Sequence, residues 1–159
     1  MSLAKDYCFT SERLRFRGIE VHDAEDIVRW RSNPENYKNF LDPRPITLES
    51  HLAWFERYLG DSTRYDFLIE NNEGFPIGTC GLSAIAENSC EISYMIGDAS
   101  ARGKGYATEA VMALSEVAFR ELGVQFIEAR ILPHNDASTR VVTKCGYDEV
   151  ERVYKLSKQ

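Results

Sequence analysis

The stretch Asp98-Ala99-Ser100-Ala101-Arg102-Gly103-Lys104-Gly105-Tyr106-Ala107-Thr108-Glu109-Ala110 joins a strand-like run to the longest helical run of the chain. Glycines at 103 and 105 let the backbone adopt conformations that other residues resist and approach a ligand closely. Free N–H groups at the start of the helix, with its dipole, make an anion site there. Arg102 and Lys104 add formal positive charge. Pyrophosphate is the natural guest of such a turn. Two common pyrophosphate motifs do not fit it. A nucleotide P-loop needs G-x-x-x-x-G-K-S/T, whereas five residues separate Gly97 from Gly103 and Lys104 precedes Gly105. A dinucleotide fingerprint needs G-x-G-x-x-G opening a βαβ unit, whereas Thr108 stands at the third glycine and the turn follows a meander.

The order of elements follows from periodicity. Leu14-Arg15-Phe16-Arg17-Gly18-Ile19 alternates as a strand. Asp23 stands at a helix N-cap, with Glu25 and Asp26 in the first turn, and Asn33-Pro34 ends or interrupts that helix. A second helix is expected to begin at Thr47 and to carry Leu48, Leu52, Phe55 and Leu59 at helical spacing. Residues 65–70, 76–84 and 91–96 are short β-rich runs between turn clusters and predict an antiparallel meander. Ala107, Ala110, Val111, Leu114, Val117, Ala118 and Leu122 then form one helical stripe closed by Gly123. A strand over 126–132, a short helix over 136–144 capped by Asn135, and a final β segment over 147–156 complete the pattern. The fold class is α/β (α+β-like): one mixed, largely antiparallel central sheet flanked by helices, in a single domain over 1–159.

Composition narrows the function. A formal net charge of −6 disfavours a nucleic-acid duplex as partner, which needs a basic stripe, and leaves open a local basic site for an anionic ligand. No apolar run approaches the ~20 residues of a membrane span, and the start lacks a signal-peptide core. The four cysteines, at 8, 80, 90 and 145, form neither C-x-x-C nor a metal spacing, and read as reduced cytoplasmic thiols. His22, His51 and His134 are too dispersed for zinc, so no metal site is expected.

Arg102-x-x-Gly105-x-Ala107 matches the Q/R-x-x-G-x-G/A loop that holds the pyrophosphate of acyl-CoA in the GNAT N-acetyltransferase superfamily. The resemblance runs through Arg13-Leu14-Arg15-Phe16-Arg17, Gly78-Thr79-Cys80-Gly81-Leu82 and Glu91-Ile92-Ser93-Tyr94-Met95-Ile96. It closes on residues 135–147, where Asn135, Ser138, Lys144, Gly146 and Tyr147 fit N-x-x-S-x-x-x-x-x-K-x-G-F/Y. That signature is similar to the one in the branch resembling ribosomal-protein N-acetyltransferases.

The resemblance implies acetyl-CoA as co-substrate. Arg102, Gly103, Lys104, Gly105, Tyr106 and Ala107 would hold the pyrophosphate. Backbone of Tyr94, Met95 and Ile96 would pair with the pantetheine arm and polarise the thioester, and Asn135 would touch that arm. Many members place a tyrosine seven residues after this Asn to protonate the thiolate; here that position is Val142. Ser138 matches the serine of the ribosomal-protein branch, and the resemblance implies that it could hydrogen-bond the thiolate instead; a plain helix-start serine is the other reading. Glu91 shares a strand face with Ser93 and Met95 and is the first candidate for general base, and His51 is the second. Trp30 and Trp54 fit core positions or a substrate platform. The implied reaction is direct acetyl transfer to a primary amine, with a small amine or amino sugar ahead of a protein α-amine. A non-catalytic acyl-CoA-binding module is the alternative. The chain is expected to be a monomer or homodimer.

Overall fold

The computed structural model describes residues 2–159, and no helix among them is long and apolar enough to cross a membrane. Strands β1 (Cys8–Thr10), β2 (Leu14–Gly18), β3 (Tyr65–Asn71), β4 (Pro76–Ser83) and β5 (Ser89–Ile96) pair antiparallel in chain order. Strand β6 (Phe126–Glu128) joins β5 in parallel and completes a six-stranded sheet. The mixed, largely antiparallel sheet is the expected one.

Side-chain alternation makes the sheet two-faced. In β3, Phe67 and Ile69 enter a core built with α4 (Tyr106–Val117), while Leu68 between them enters a second core with α1 (Ala24–Arg31) and α3 (Leu48–Leu59). Phe16, Leu82 and Leu114 are fully buried in the first core, and each such side chain contributes roughly 1.5–3 kcal/mol. Most of the predicted stripe of α4 is what that helix buries: Ala110, Val111 and Leu114 join the core with the sheet, and Val117 and Ser115 are buried as well. Ala118 and Leu122 follow on a π turn, and Gly123 ends it at φ +67° in the left-handed region. Helix α5 (Asp136–Lys144) packs beside α4, and Asn135 caps it by accepting from the Ser138 N–H at 3.2 Å.

Several sequence expectations are corrected, and one strand was not foreseen. The strand expected over 126–132 ends at Glu128. Strand β1 was too short to show a period. Asp23 stands at the N-cap of α1 as expected, but its side chain makes no capping bond; it binds Arg17 at 2.8 Å and accepts the Glu20 N–H instead. Helix α3 starts at Thr47 as expected, with reciprocal Thr47–Ser50 capping. Its buried face is His51, Phe55 and Tyr58, whereas Leu48, Leu52 and Leu59 are exposed. The aromatic rings fill the space over Leu68 and Ile19, so they take the inner face. Residues 147–156 form no strand: Val150, Val153, Tyr154 and Leu156 are exposed. Asp148, Glu149, Glu151, Arg152 and Lys155 make that segment charge-dense, and three-residue β6 offers little edge to pair with.

A last topological detail positions the site. Strand β6 pairs only with Ser89, Cys90 and Glu91 of β5. From Ile92 to Ile96 the β5 backbone is paired on its β4 side alone, so the sheet opens there.

Candidate active site

The opening beside β5 is the floor of a cleft of about 940 Å³. It runs between the glycine turn and α5 at one end and α1, α2 (Pro34–Tyr37) and α3 at the other. Of the residues singled out in the sequence, Glu91, Ser138, His51, Tyr94, Met95, Ile96, Arg102, Gly103, Gly105, Tyr106, Ala107 and Asn135 all line it. Lys104 does not: it is exposed, and its carbonyl accepts from Arg13 Nη1 at 2.8 Å.

Gly103 and Gly105 have φ of +74° and +79°, the left-handed backbone that other residues avoid. Gly105 is also the N-cap of α4. The consequence is a row of open donors. No backbone N–H from Gly103 to Thr108 has a backbone or side-chain acceptor among the described residues. Unpaired backbone donors facing a cleft are the anion cradle that a helix start provides.

The turn is braced from outside. Glu109 accepts from Ser11 Oγ, the Arg13 N–H and Arg13 Nε, each at 2.7 Å. Burial alone would raise its carboxyl, but these bonds and the Arg13 charge outweigh it and hold it below the usual range. Arg13 in turn lies over the Tyr106 ring at 4.5 Å. On the other flank, Arg102 donates to buried Asn36, whose Nδ2 donates to the carbonyls of Trp30 and Gly97. Gly97 packs directly on Trp30, and a Cβ there would sit 2.2 Å from the indole. Trp30 is therefore a core residue that seats the turn, while Trp54 lines the cleft.

The candidate catalytic groups differ in setting. Glu91 is partly exposed and takes a hydrogen bond from Arg130 at 3.0 Å on Oε1. The Ser138 carbonyl accepts from the Tyr94 hydroxyl at 3.3 Å. Burial pushes that phenol up, so it stays protonated. Sequence reading had assigned only the Tyr94 backbone; strand alternation alone did not reveal that its hydroxyl reaches α5. Val142 is buried on the inner face of α5 and brings no polar group. Cys80 lines the cleft, but complete burial pushes its thiol far above the ordinary range, so it offers no thiolate.

His51 is 4% exposed, and its Nε2 has no hydrogen-bond partner among the described residues. Burial and the charge of Arg31 hold its imidazole below the ordinary range, against a smaller opposite effect of Asp66. Arg31, half-buried across from it, has no role assigned by the sequence. Its significance depends on a tertiary fact, the lack of a partner.

An open mixed sheet split beside a glycine turn, with an amide cradle at the split, is a site for an extended ligand that carries an anionic group. The chain belongs to the GNAT family: residues 13–148 match the acetyltransferase (GNAT) domain model. It is 29% identical to the uncharacterized N-acetyltransferase p20 of Bacillus licheniformis, over 87% of this chain and 81% of that protein. Its structure resembles a GNAT-family acetyltransferase from Bacillus anthracis (TM-score 0.76, 25% identity, 88% and 82% coverage). The spermidine N-acetyltransferase of Vibrio cholerae, solved with CoA and spermine, shares the fold (TM-score 0.83, 19% identity, 89% and 84% coverage). The chain is an N-acetyltransferase.

Proposed function

We propose that this enzyme transfers the acetyl group of acetyl-CoA directly to the primary amine of a small molecule. The observation that carries the donor assignment is the row of unpartnered N–H groups from Gly103 to Thr108 beside the open edge of β5. Diphosphate oxygens satisfy such donors, and Arg102 adds charge at their rim. The extended pantetheine arm supplies the strand that β5 lacks over Ile92–Ile96, in the manner of an added β-strand. Asn135 and Ser138 on the facing helix bound that channel.

The chemistry follows from what surrounds the open edge. A neutral amine attacks the thioester carbon, and the developing oxyanion is met by a β5 backbone N–H of the Tyr94–Ile96 segment. Glu91, one face-step from Ser93 and Met95, takes the amine proton through a water. Collapse breaks the C–S bond, and the Ser138 hydroxyl hydrogen-bonds the departing thiolate, which is protonated from solvent. Protonated Cys80 supports single-step transfer over an acyl-enzyme. His51, buried and held neutral, is assigned to acceptor binding ahead of the base role.

The test is release of CoA thiol from acetyl-CoA across an amine panel, with Glu91→Gln alongside the wild type. Glu91→Gln is expected to lower kcat by about 10²–10⁴ while leaving the Kd of acetyl-CoA unchanged. Equal turnover by both would remove Glu91 from the reaction.

A further inference from the structure

The cleft is basic although the chain is acidic. Seven cationic side chains and four carboxylates line it, against a net charge of −6 for the whole chain. The carboxylates are already claimed: Glu35 by Lys38, Asp42 by Arg44, Asp66 by Arg64 and Glu91 by Arg130. Arg102 is held by Asn36 and the Ile96 and Gly97 carbonyls. Arg31 is different. It stands at the acceptor end, away from the glycine turn in sequence and on a separate helix, and makes no ion pair or hydrogen bond among the described residues. Phe40 lies 5.8 Å from its Cζ and shields it further.

A half-buried guanidinium without a counter-ion is costly, and so is a buried imidazole nitrogen without a partner. Both occur here on adjoining helices, α1 and α3, facing one cleft. Arg31 feels Arg64 as a like charge, and Asp66 and Asp42 do not offset its burial. An acceptor's anionic group would satisfy the two orphaned groups together, with a fork of guanidinium donors and an Nε2–H.

Resting on the transferase reading, we infer that the amine acceptor carries an anionic group, a phosphate or carboxylate, bound between Arg31 and His51. Its amine then lies toward Glu91 and the β5 edge. Such a site disfavours a polyamine, which would meet Arg31 and Arg64 with like charge. The overall acidic balance points the other way, toward a cationic acceptor, but the local lining outweighs it because screening confines charge effects to about 8–10 Å.

The experiment uses matched probes with acetyl-CoA: D-glucosamine against D-glucosamine 6-phosphate, L-serine methyl ester against L-serine, and spermidine. Calorimetry first fixes the Kd of acetyl-CoA. Thiol release then gives kcat/KM for each probe, and tryptophan fluorescence of the CoA-loaded protein reports binding through Trp54. At least one anionic probe is expected to exceed its uncharged partner by about tenfold or more in kcat/KM or affinity. Arg31→Met is expected to erase that ratio without changing the acetyl-CoA Kd, and Arg31→Lys to restore part of it. Preference for spermidine or the uncharged partners, or no response to any anionic probe, overturns the inference while acetyl-CoA still binds. Failure of acetyl-CoA itself to bind overturns the transferase reading and this inference with it.

Discussion

Replacing Gly105 by valine separates a structural role for the glycine turn from a ligand-binding one. Gly105 sits at φ +79°, and the nearest atom to an added Cβ is Arg13 Nη2 at 3.5 Å, an ordinary contact. The cost is therefore one of backbone conformation rather than space. A branched side chain in the left-handed region costs about 1–3 kcal/mol, which lowers Tm by roughly 2–12 °C in a domain of this size. The chain can relieve that strain by rotating the turn, but rotation turns the N–H groups of Gly105 and Tyr106 away from the cleft. Losing one charge-assisted hydrogen bond, about 1.5–3 kcal/mol, weakens acetyl-CoA about 10- to 150-fold. Gly74→Val is the matched control. Its φ is +82°, nothing lies within 4 Å of an added Cβ, and it lines no part of the cleft. Thermal melts and calorimetry on both variants are expected to show similar losses of Tm but lost acetyl-CoA affinity only in Gly105→Val. Wild-type affinity in Gly105→Val, or equal loss in Gly74→Val, would refute the assignment of the turn.

Further outcomes follow from packing and charge. Glu109→Ala removes three hydrogen bonds that hold the 11–13 segment and, through Arg13, the turn; it should cost about 1–2 kcal/mol in a denaturation curve and also weaken acetyl-CoA. An unchanged Kd would show that the turn holds its shape without this brace. Because His51 has a folded-state pKa below its unfolded value of about 6.5, its contribution to stability is complete above that value. That contribution is lost as pH falls through the folded value, so Tm should drop between about pH 7 and 5, and less so in His51→Gln. Parallel pH profiles for the two proteins would contradict this. Leu114→Ala, at a fully buried position under the sheet, should cost about 2–5 kcal/mol by chemical denaturation, and a loss below 1 kcal/mol would mean the core collapses around it.

What was legible in the sequence was whatever a single period could carry. The β3–β4–β5 meander and the buried stripe of α4 repeat every two or every 3.6 residues, and the glycine turn sits where those periods change. Features set by partners were not legible. Apolarity alone put Leu48, Leu52 and Leu59 inside, but the shape of the space over Leu68 favoured the rings of Phe55 and Tyr58 and took His51 with them. The final segment has enough apolar residues for a strand, yet a strand needs an edge, and β6 supplies three residues. The brace on the turn was equally hidden, since nothing in the motif shows that the Lys104 carbonyl accepts from Arg13. Arg31 is given no role by the sequence; its unpaired state in the folded protein marks it.

The central claim is that the amides of the glycine turn hold the pyrophosphate of acetyl-CoA, and backbone amide NMR tests it most directly. Titration of ¹⁵N-labelled protein with acetyl-CoA should move the Gly103, Gly105, Tyr106 and Ala107 amides most, followed by Tyr94 to Ile96, with ATP and NAD leaving them in place. Saturable acetyl-CoA binding that leaves those four amides unmoved would contradict it.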